Sequence, residues 1–497
     1  MVILNSNILT APGVYVSENT AGIVPLELAS FNRCYMLGTA ATGVYNEPYQ
    51  VVSAEDFSNV FGSSTSLNSV TLFFRNHPNG VLFFVRAAAP QLAEVTISAA
   101  TVGTWSITIV IGVAAPVVVT YVYADVSPTA QELIDGFITA INNSAVAISV
   151  TAFDPQPADM TFRIKGNAEE VVFTLSAPTA PATATLSRTN DISSVKSDFI
   201  WACENAFDPD MHAQGILIAP QAFQSIALQA DRIDVGTAME NLCSAEGFDW
   251  VTFIDNGSTI LTNAQADAEG DLYITPRGHL AYFYPYVSMI DAGSLPVLVP
   301  SSAGIAGMGL LKMGREGFNQ PPAGVPYPLK GVTDVAVRVK RQQQAVLNPQ
   351  GINVIRYLPN KGVVVYGSRT RSVNPYYRFI TTRIILNVLI GTLRNAFDNF
   401  VFSGVDGRGI FRTRVRETAE AVCFRLWDGG ALYGASPSQA FFVKCDAENN
   451  PDLDLEAGIV RLDVYVVPAP IAERILISVT RVAIGQIEIV TRSVGGG

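Results

Sequence analysis

The clearest alternation of apolar and polar positions lies between residues 351 and 427. Pro359-Asn360-Lys361-Gly362 reads as a turn that feeds the short apolar strand Val363-Val364-Val365. From about 377 to 399, Ile384, Ile385, Val388, Leu389, Leu393, Ala396 and Phe397 recur at spacings of three and four, which predicts a long helix. A second helix is predicted over about 412–427, with Val415, Ala419, Val422, Cys423 and Leu426 on one face. Between them, Val401-Phe402 reads as a strand end and Gly404 to Gly409 as a loop.

Upstream, the period switches repeatedly between strand and helix. Phe31 to Leu37 and Val81 to Val85 read as buried strands, the second introduced by the turn pair Asn79-Gly80. Ser53 with Asp56 three residues on marks a helix start. Gly215 to Ala219, a helix over about 222–246, and Trp250 to Asp255 give strand, helix, strand at the spacing of a parallel crossover. Ala281 to Tyr286 is a further apolar strand, Val299 to Gly307 reads as a loop, and the Pro- and Gly-rich residues 317–331 as irregular.

Residues 91–190 differ in character. Val, Thr, Ala and Ser dominate, and strands are expected at 95–97, 105–111, 117–123, 161–165 and 171–175. One helix interrupts them, with Thr129 as N-cap and Glu132 at the capping-box position. The block reads as an inserted, mostly β domain. Near the end of the chain, Val460, Leu462, Val464 and Val466 alternate with polar neighbours, and Ile475, Ile477 and Val479 alternate again, before Ile487 and Ile489.

The resulting expectation is a mixed α/β (α+β) multidomain fold. An extended N-terminal arm occupies 1–20. An α/β middle domain is built from 21–90 and 191–340, with the β-rich insertion at 91–190 between them. A C-terminal α/β core spans 341–474 and a C-terminal strand arm 475–497.

Composition sharpens this picture. Across 497 residues, 49% are hydrophobic and only 15% charged, so either much of the surface is buried in an assembly or its solvated face is built from Ser, Thr, Asn and Gln. No segment reaches the roughly 20 unbroken apolar residues of a membrane span, and no secretory leader pattern is seen. A net charge of −11 argues against a general nucleic-acid binder. Cys34, Cys203, Cys243, Cys423 and Cys445 are scattered, odd in number and without a Cys-x-x-Cys pair, so buried free thiols are expected.

Catalytic signatures are not found, and no cofactor is called for. Gly304, Gly307 and Gly309 lack the spacing of a dinucleotide loop. His77, His212 and His279 are isolated in sequence. Asp208, Asp210 and His212 alternate in a short polar loop, and Asp446, Glu448, Asp452, Asp454 and Glu456 form a denser acidic run. Both admit a divalent-cation reading, but neither meets EF-hand spacing, and solvated turns are expected instead. Two other features point to partners. Val14-Tyr15-Val16 is too short to stand as a strand alone, and the alternating residues after 475 follow a Pro-containing linker. Each end either folds back on its own domain or adds a strand to another chain. Arg408, Arg412, Arg414, Arg416 and Arg425 concentrate basic charge, either for solubility or for docking on an acidic partner.

Several runs carry a family resemblance. Pro12-Gly13-Val14-Tyr15-Val16, Leu347-Asn348-Pro349-Gln350-Gly351-Ile352-Asn353, Val365-Tyr366-Gly367-Ser368-Arg369-Thr370, Tyr377-Arg378-Phe379-Ile380 and Gly430-Ala431-Leu432-Tyr433-Gly434 resemble contractile tail sheath proteins of myophage-like tails and related injection systems. The chain departs at Tyr366 and Ser368, where the family has Trp and Ala. The resemblance runs from residue 11 to about 490 and is weakest across the insertion.

It implies a structural subunit that polymerises as stacked, typically sixfold rings around an inner tube. Such a sheath contracts without nucleotide or cofactor, and its further partners are baseplate and terminator or cap proteins. It would sit in a virion tail, or in a bacterial cytoplasm as part of an injection system. It also implies strand exchange between subunits through Val14, Tyr15, Val16, Ile475, Ile477, Val479, Ile487 and Ile489, an outward-facing insertion, and an inner-tube contact for which the arginines named above are the candidates. The alternative is a non-contractile structural protein of a virion, baseplate or surface layer. An enzyme carrying a large β insertion is a remote third reading.

Overall fold

The computed structural model describes residues 2–4, 7–9, 28–124, 129–155, 160–176, 182–186 and 195–477. The expected exchange positions Val14, Tyr15, Val16, Val479, Ile487 and Ile489 lie outside them. The fold is mixed α/β and multidomain, with one large sheet at its centre.

Eight strands build that sheet: β1 Arg33–Gly38, β2 Pro48–Val51, β3 Val81–Arg86, β4 Gly215–Ile218, β5 Val251–Asp255, β6 Leu280–Tyr284, β7 Ile352–Leu358 and β8 Gly362–Val365. Their order is β8-β7-β6-β5-β4-β1-β3-β2. The six inner strands are parallel, and the edge strands β2 and β8 run antiparallel to their neighbours. Helices cover both faces, which explains why the inner strands read as unbroken apolar runs rather than as alternation. One core packs Met36, Phe84, Ile218, Phe253 and Phe283 on one face, and a second packs Tyr35, Leu217, Trp250, Ile254 and Tyr282 on the other. The sheet takes strands from both sides of residue 341, so the boundary expected there falls inside one sheet.

The two edges are closed differently. Gly324 N donates to Val365 O (2.9 Å) and Leu329 N to Val363 O (2.8 Å), so the Pro-rich 324–329 segment straps β8. The other edge, β2, is four residues long and opens with Pro48.

Helices α1 (Leu67–Asn76) and α2 (Ser302–Glu316) pack against each other on the sheet. The loop expected up to Gly307 is therefore corrected from Ser302 onward. Its glycines are helical and permit close contact. A Cβ at Gly304 would lie 3.0 Å from Leu72 Cγ, and one at Gly307 would lie 2.7 Å from Phe73 O. The helix expected over 222–246 is broken into Pro220–Ser225 and Gln229–Ser244. The cause is Arg232, whose Nη1 takes the carbonyls of Ile226 (3.0 Å) and Ala227 (2.8 Å) out of the helical ladder. The strand expected over 281–286 ends at Tyr284, before Pro285, and a new one begins at Val287.

The insertion holds a four-stranded sheet (Leu92–Ile97, Val150–Phe153, Thr161–Gly166, Ala182–Leu186), a three-stranded sheet (Gly103–Ile111, Val117–Tyr123, Phe173–Leu175) and the helix Ala130–Asn142. Thr129 caps that helix, its hydroxyl accepting from Glu132 N (3.3 Å). The insertion has a core of its own around Trp105, Phe137, Ile141 and Phe162.

After β8 come α3 (Ile380–Phe397), α4 (Ile410–Asp428), β9 (Phe441–Lys444) and β10 (Asp463–Val466). All five predicted face residues of α4 are buried. No strand forms at Val401-Phe402, where Phe402 sits at φ 64° and is fully exposed. Of the alternating run 460–466, only Asp463–Val466 forms a strand. Residues 475–477 form no regular element within this chain. All five cysteines are buried and unpaired.

Candidate assembly surface

Strands β9 and β10 pair only with each other, in the register Phe441↔Val466, Phe442↔Tyr465, Val443↔Val464 and Lys444↔Asp463. Helix α4 packs against β9, and Val443 is buried in the core it shares with Ala419, Val422 and Leu426. The alternate positions Phe442 and Tyr465 point the other way and are 60% and 59% exposed. Among the described residues no further strand lies beside either one. The sheet therefore has one buried face, one aromatic solvent face and two backbone edges able to pair.

The five arginines expected to form one basic cluster divide between locations. Arg408 is exposed on the loop before α4. Asp406 orders that loop by accepting from Arg408 N (2.9 Å), Ile410 N (3.1 Å) and Phe411 N (2.7 Å), which also holds its carboxyl below the ordinary range. Along α4, Arg414 and Arg425 are exposed on one side, eleven residues apart. Arg414 lies 5.8 Å from the Phe400 ring centroid. Arg412 and Arg416 are half-buried on the opposite flank, beside Cys445, and Arg416 faces Glu420 at 3.6 Å. The outward stripe of α4 mixes Ile410, Arg414, Glu417, Ala421, Phe424 and Asp428, so it is amphiphilic rather than basic.

Of the expected C-terminal exchange positions, Ile475 and Ile477 are described, and they are 80% and 81% exposed, with Leu476 at 96% between them. Immediately before them the chain is held. Arg369 Nε donates to Glu473 Oε1 at 2.8 Å while its Nη2 bonds Oε2, and Asn348 Nδ2 adds a bond to Oε1 at 2.9 Å. Burial opposes ionisation of Glu473, but these donors outweigh it and keep its carboxyl below the usual range. The pair borders an open cleft of about 810 Å³ that Arg371, Arg378 and Arg474 also line. Sequence reasoning missed this pair, although Asn348 and Arg369 both stood in the runs it singled out.

The crevice where open α/β sheets commonly take ligands, beyond the carboxyl ends of the strands at the order reversal, is filled by the chain itself. Beyond β1 and β4, Gln221 Oε1 accepts from Thr39 N (2.8 Å) and Ser66 Oγ (2.7 Å), and its Nε2 donates to Thr39 Oγ1 (2.6 Å). At the end of β5, Asp255 accepts from Ser301 N (2.7 Å) and Ser302 N (2.9 Å), at the start of α2, and from both hydroxyls. Burial pushes its carboxyl up to about 6. Next to it, Glu269 is fully buried and takes Arg232 Nε (2.9 Å) and Nη2 (2.6 Å), Tyr282 OH (3.0 Å) and Gly257 N (2.9 Å). Every lone pair of this carboxylate is directed at a donor of the chain's own.

His279, His212 and the acidic run follow suit. His279 is buried with Nδ1 2.7 Å from Trp250 O, and burial reinforced by Arg383 lowers its pKa to about 4. His212 and Asp208 close a turn on each other, with Asp208 N donating to His212 Nδ1 (3.0 Å). In the acidic run, Asp446 accepts from Glu448 N (2.8 Å), Glu448 pairs with Lys444 (2.7 Å) and Asp454 with Arg461 (2.8 Å). Among the described residues no group of three or more His, Cys, Asp and Glu is placed to hold a metal ion, and no helix is long and apolar enough to cross a membrane.

No protein-family model matches the chain. Over 242 residues, 47% of its length, it is 28% identical to the tail sheath protein of Vibrio phage KVP40, and the match spans about a third (32%) of that relative. Solved structures align over nearly the whole chain. An extracellular contractile injection system, the PVC sheath complex in its contracted state, gives a TM-score of 0.57 at 17% identity, covering 97% of this chain and 99% of that one. The anti-feeding prophage helical sheath in its contracted state gives 0.54 at 20% identity, covering 95% and 100%. A chain of the contracted anti-feeding prophage baseplate gives 0.59 at 15% identity, covering 95% and 99%. From the first strand of the large sheet to the small β9–β10 sheet, the chain has the fold of the tail sheath proteins of contractile injection systems.

Proposed function

We propose that this chain is the repeating subunit of a contractile sheath, assembling as stacked rings around an inner tube and contracting to drive that tube through a target envelope. The observation that carries this reading is the alignment of 95–97% of the chain with sheath structures in their contracted state. The polar closure at the large sheet's strand ends supports a structural role, because Gln221, Asp255 and Glu269 are already taken up by donors of the chain itself.

Assembly proceeds, in this proposal, by strand exchange. The arms at 1–20 and 475–497 add strands, through Val14, Tyr15, Val16, Ile475, Ile477, Val479, Ile487 and Ile489, to the open edges of β9–β10 on neighbouring copies. Main-chain hydrogen bonds can persist while rigid bodies rotate, so such a mesh survives a large rearrangement. The contact with the tube falls to the outer side of α4 and the loop before it, where Arg408, Arg414 and Arg425 are exposed. Arg412 and Arg416 contribute to that field from the flank. Exposed charged contacts of this kind set register without locking the interface. The insertion is taken as the outward domain. Rings of sixfold symmetry, baseplate and cap partners, and a place in a virion tail or an assembled injection system complete the reading.

The test is electron microscopy of the purified chain beside a version lacking residues 1–20. Tubes or stacked rings that disappear in the truncated form are the expected result. Monodisperse monomers in both samples would overturn the reading.

A further inference from the structure

The runs 347–353 and 365–370 border the neighbouring strands β7 and β8, and they meet around a single side chain, Glu473. Their backbones are first locked together. Asn353, near the start of β7, donates from Nδ2 to Arg369 O (2.7 Å) and accepts at Oδ1 from Arg369 N (2.7 Å). Two glycines make room for this. A Cβ on Gly367 would lie 3.0 Å from Asn353 Cα. Gly351, at φ 77°, allows Thr370 O to come within 2.5 Å of where a Cβ would stand.

With its main chain fixed, Arg369 presents a two-pronged guanidinium edge. Its side chain is 9% exposed, and that of Glu473 is 24% exposed. The carboxylate receives Nε and Nη2 of Arg369 and Nδ2 of Asn348. Such a fork fixes direction as well as position, which a single lysine ammonium would not. On one side of this point the chain is bonded to its own C-terminal core, with Tyr433 N donating to Val467 O (2.8 Å) and Ala469 N to Ala431 O (2.9 Å). On the other side, Ile475, Leu476 and Ile477 are exposed.

We infer that Arg369, Asn348 and Asn353 form an anchor site for the C-terminal arm, gripping Glu473 so that the part of the arm free to leave the subunit begins at Arg474. The arm, which continues from β10, is thereby tied to the large eight-stranded sheet as well. Tension on the arm is passed on to β7 of the large sheet. Arg369 and Asn348 are positioning residues, whose side chains hydrogen-bond the arm at Glu473. The use of this anchor in assembly rests on the arm being exchanged between copies, as proposed above, but the grip itself belongs to the single chain.

Limited trypsin digestion of the full-length, unassembled chain reads the grip directly, because cleavage after Arg474 requires residues on both sides of that bond to be drawn out into the protease. Glu473→Gln is expected to raise the cleavage rate after Arg474 about tenfold, with the melting temperature and the other tryptic sites unchanged. Arg369→Lys, which keeps the charge and loses the fork, is expected to act in the same direction. Unchanged cleavage after Arg474 in both variants overturns the anchor, and so does an increase that occurs equally at sites throughout the chain. Removal of 475–497 separates the two ideas. If the shortened chain assembles normally, strand exchange by this arm fails, while the digestion result stands.

Discussion

Phe442 and Tyr465 face each other across β9 and β10 with ring centroids 6.0 Å apart, and each is more than half exposed. A cross-strand aromatic pair of this kind stabilises its own sheet by only about 0.5–1 kcal/mol. Two exposed rings on a two-stranded sheet with open edges suit an incoming strand far better than they suit water. Phe442→Ala is therefore expected to lower subunit stability by less than about 1 kcal/mol while raising the concentration needed for assembly more than tenfold. Denaturant titration and sedimentation velocity on the same preparation check both halves. A variant that assembles like the parent would remove this face from the interface.

The buried pair Arg232–Glu269 makes a different prediction. Both side chains are essentially inaccessible, and Glu269 also satisfies Tyr282 and Gly257. Glu269→Gln leaves a buried guanidinium without its counter-charge, at a cost of about 3–5 kcal/mol. It also frees Arg232 from the position in which it holds the carbonyls of Ile226 and Ala227. Urea unfolding gives the magnitude. A loss below about 1 kcal/mol would place the pair among interactions that merely fill space.

Two buried groups titrate in overlapping windows with opposite sign. Asp255 is raised by burial from 3.8 to about 6, so the folded state takes up its proton first and gains stability as pH falls through that range. His279 is lowered from 6.5 to about 4 by burial, with Arg383 and Arg277 adding to it, so the unfolded state takes up its proton first and stability is lost as pH falls from 6.5 to 4. Between pH 4 and 6 the two slopes, each up to about 1.4 kcal/mol per pH unit, oppose one another. Asp255→Asn is expected to expose a loss of stability on acidification, and His279→Gln a gain. Denaturation midpoints at half-unit pH steps decide this, and parallel profiles for the two variants would refute it.

Helix α2 offers an internal control in its glycines. A Cβ at Gly307 would meet Phe73 O at 2.7 Å, whereas one at Gly314 has nothing within 4 Å. Gly307→Ala is expected to destabilise by about 1–3 kcal/mol through overpacking. Gly314→Ala, at an exposed helical position, is expected to stabilise by about 0.5–1 kcal/mol. Thermal melts of the two variants should move in opposite directions.

Much of the architecture was legible in the residue pattern because its signals are local. The unbroken runs at 81–85 and 215–218 announce strands covered on both faces, Ser53 and Thr129 announce caps, and the α4 face residues are all buried. Misreadings arose where a distant partner decides. The 222–246 helix breaks because Arg232 claims two carbonyls on behalf of Glu269, 37 residues away. Gly304 and Gly307 look like a loop until α1 is seen lying against them. The site was less legible than the fold. Reading the arginines as one cluster overlooks the 3.6-residue period of the helix predicted there, which does not put Arg412 and Arg416 on the side of Arg414 and Arg425. Nor can any local pattern join Arg369 to Glu473 across 104 residues.

The strap that lies over β8 has a consequence for how copies meet. With that edge covered by the 324–329 backbone and the opposite edge cut short at Pro48, the large sheet is a poor template for foreign backbone. Among the described residues no strand covers either border of the small sheet. In the proposed exchange, main-chain pairing with another copy is thereby steered away from the large sheet and toward the small one, before any contact is tested for strength.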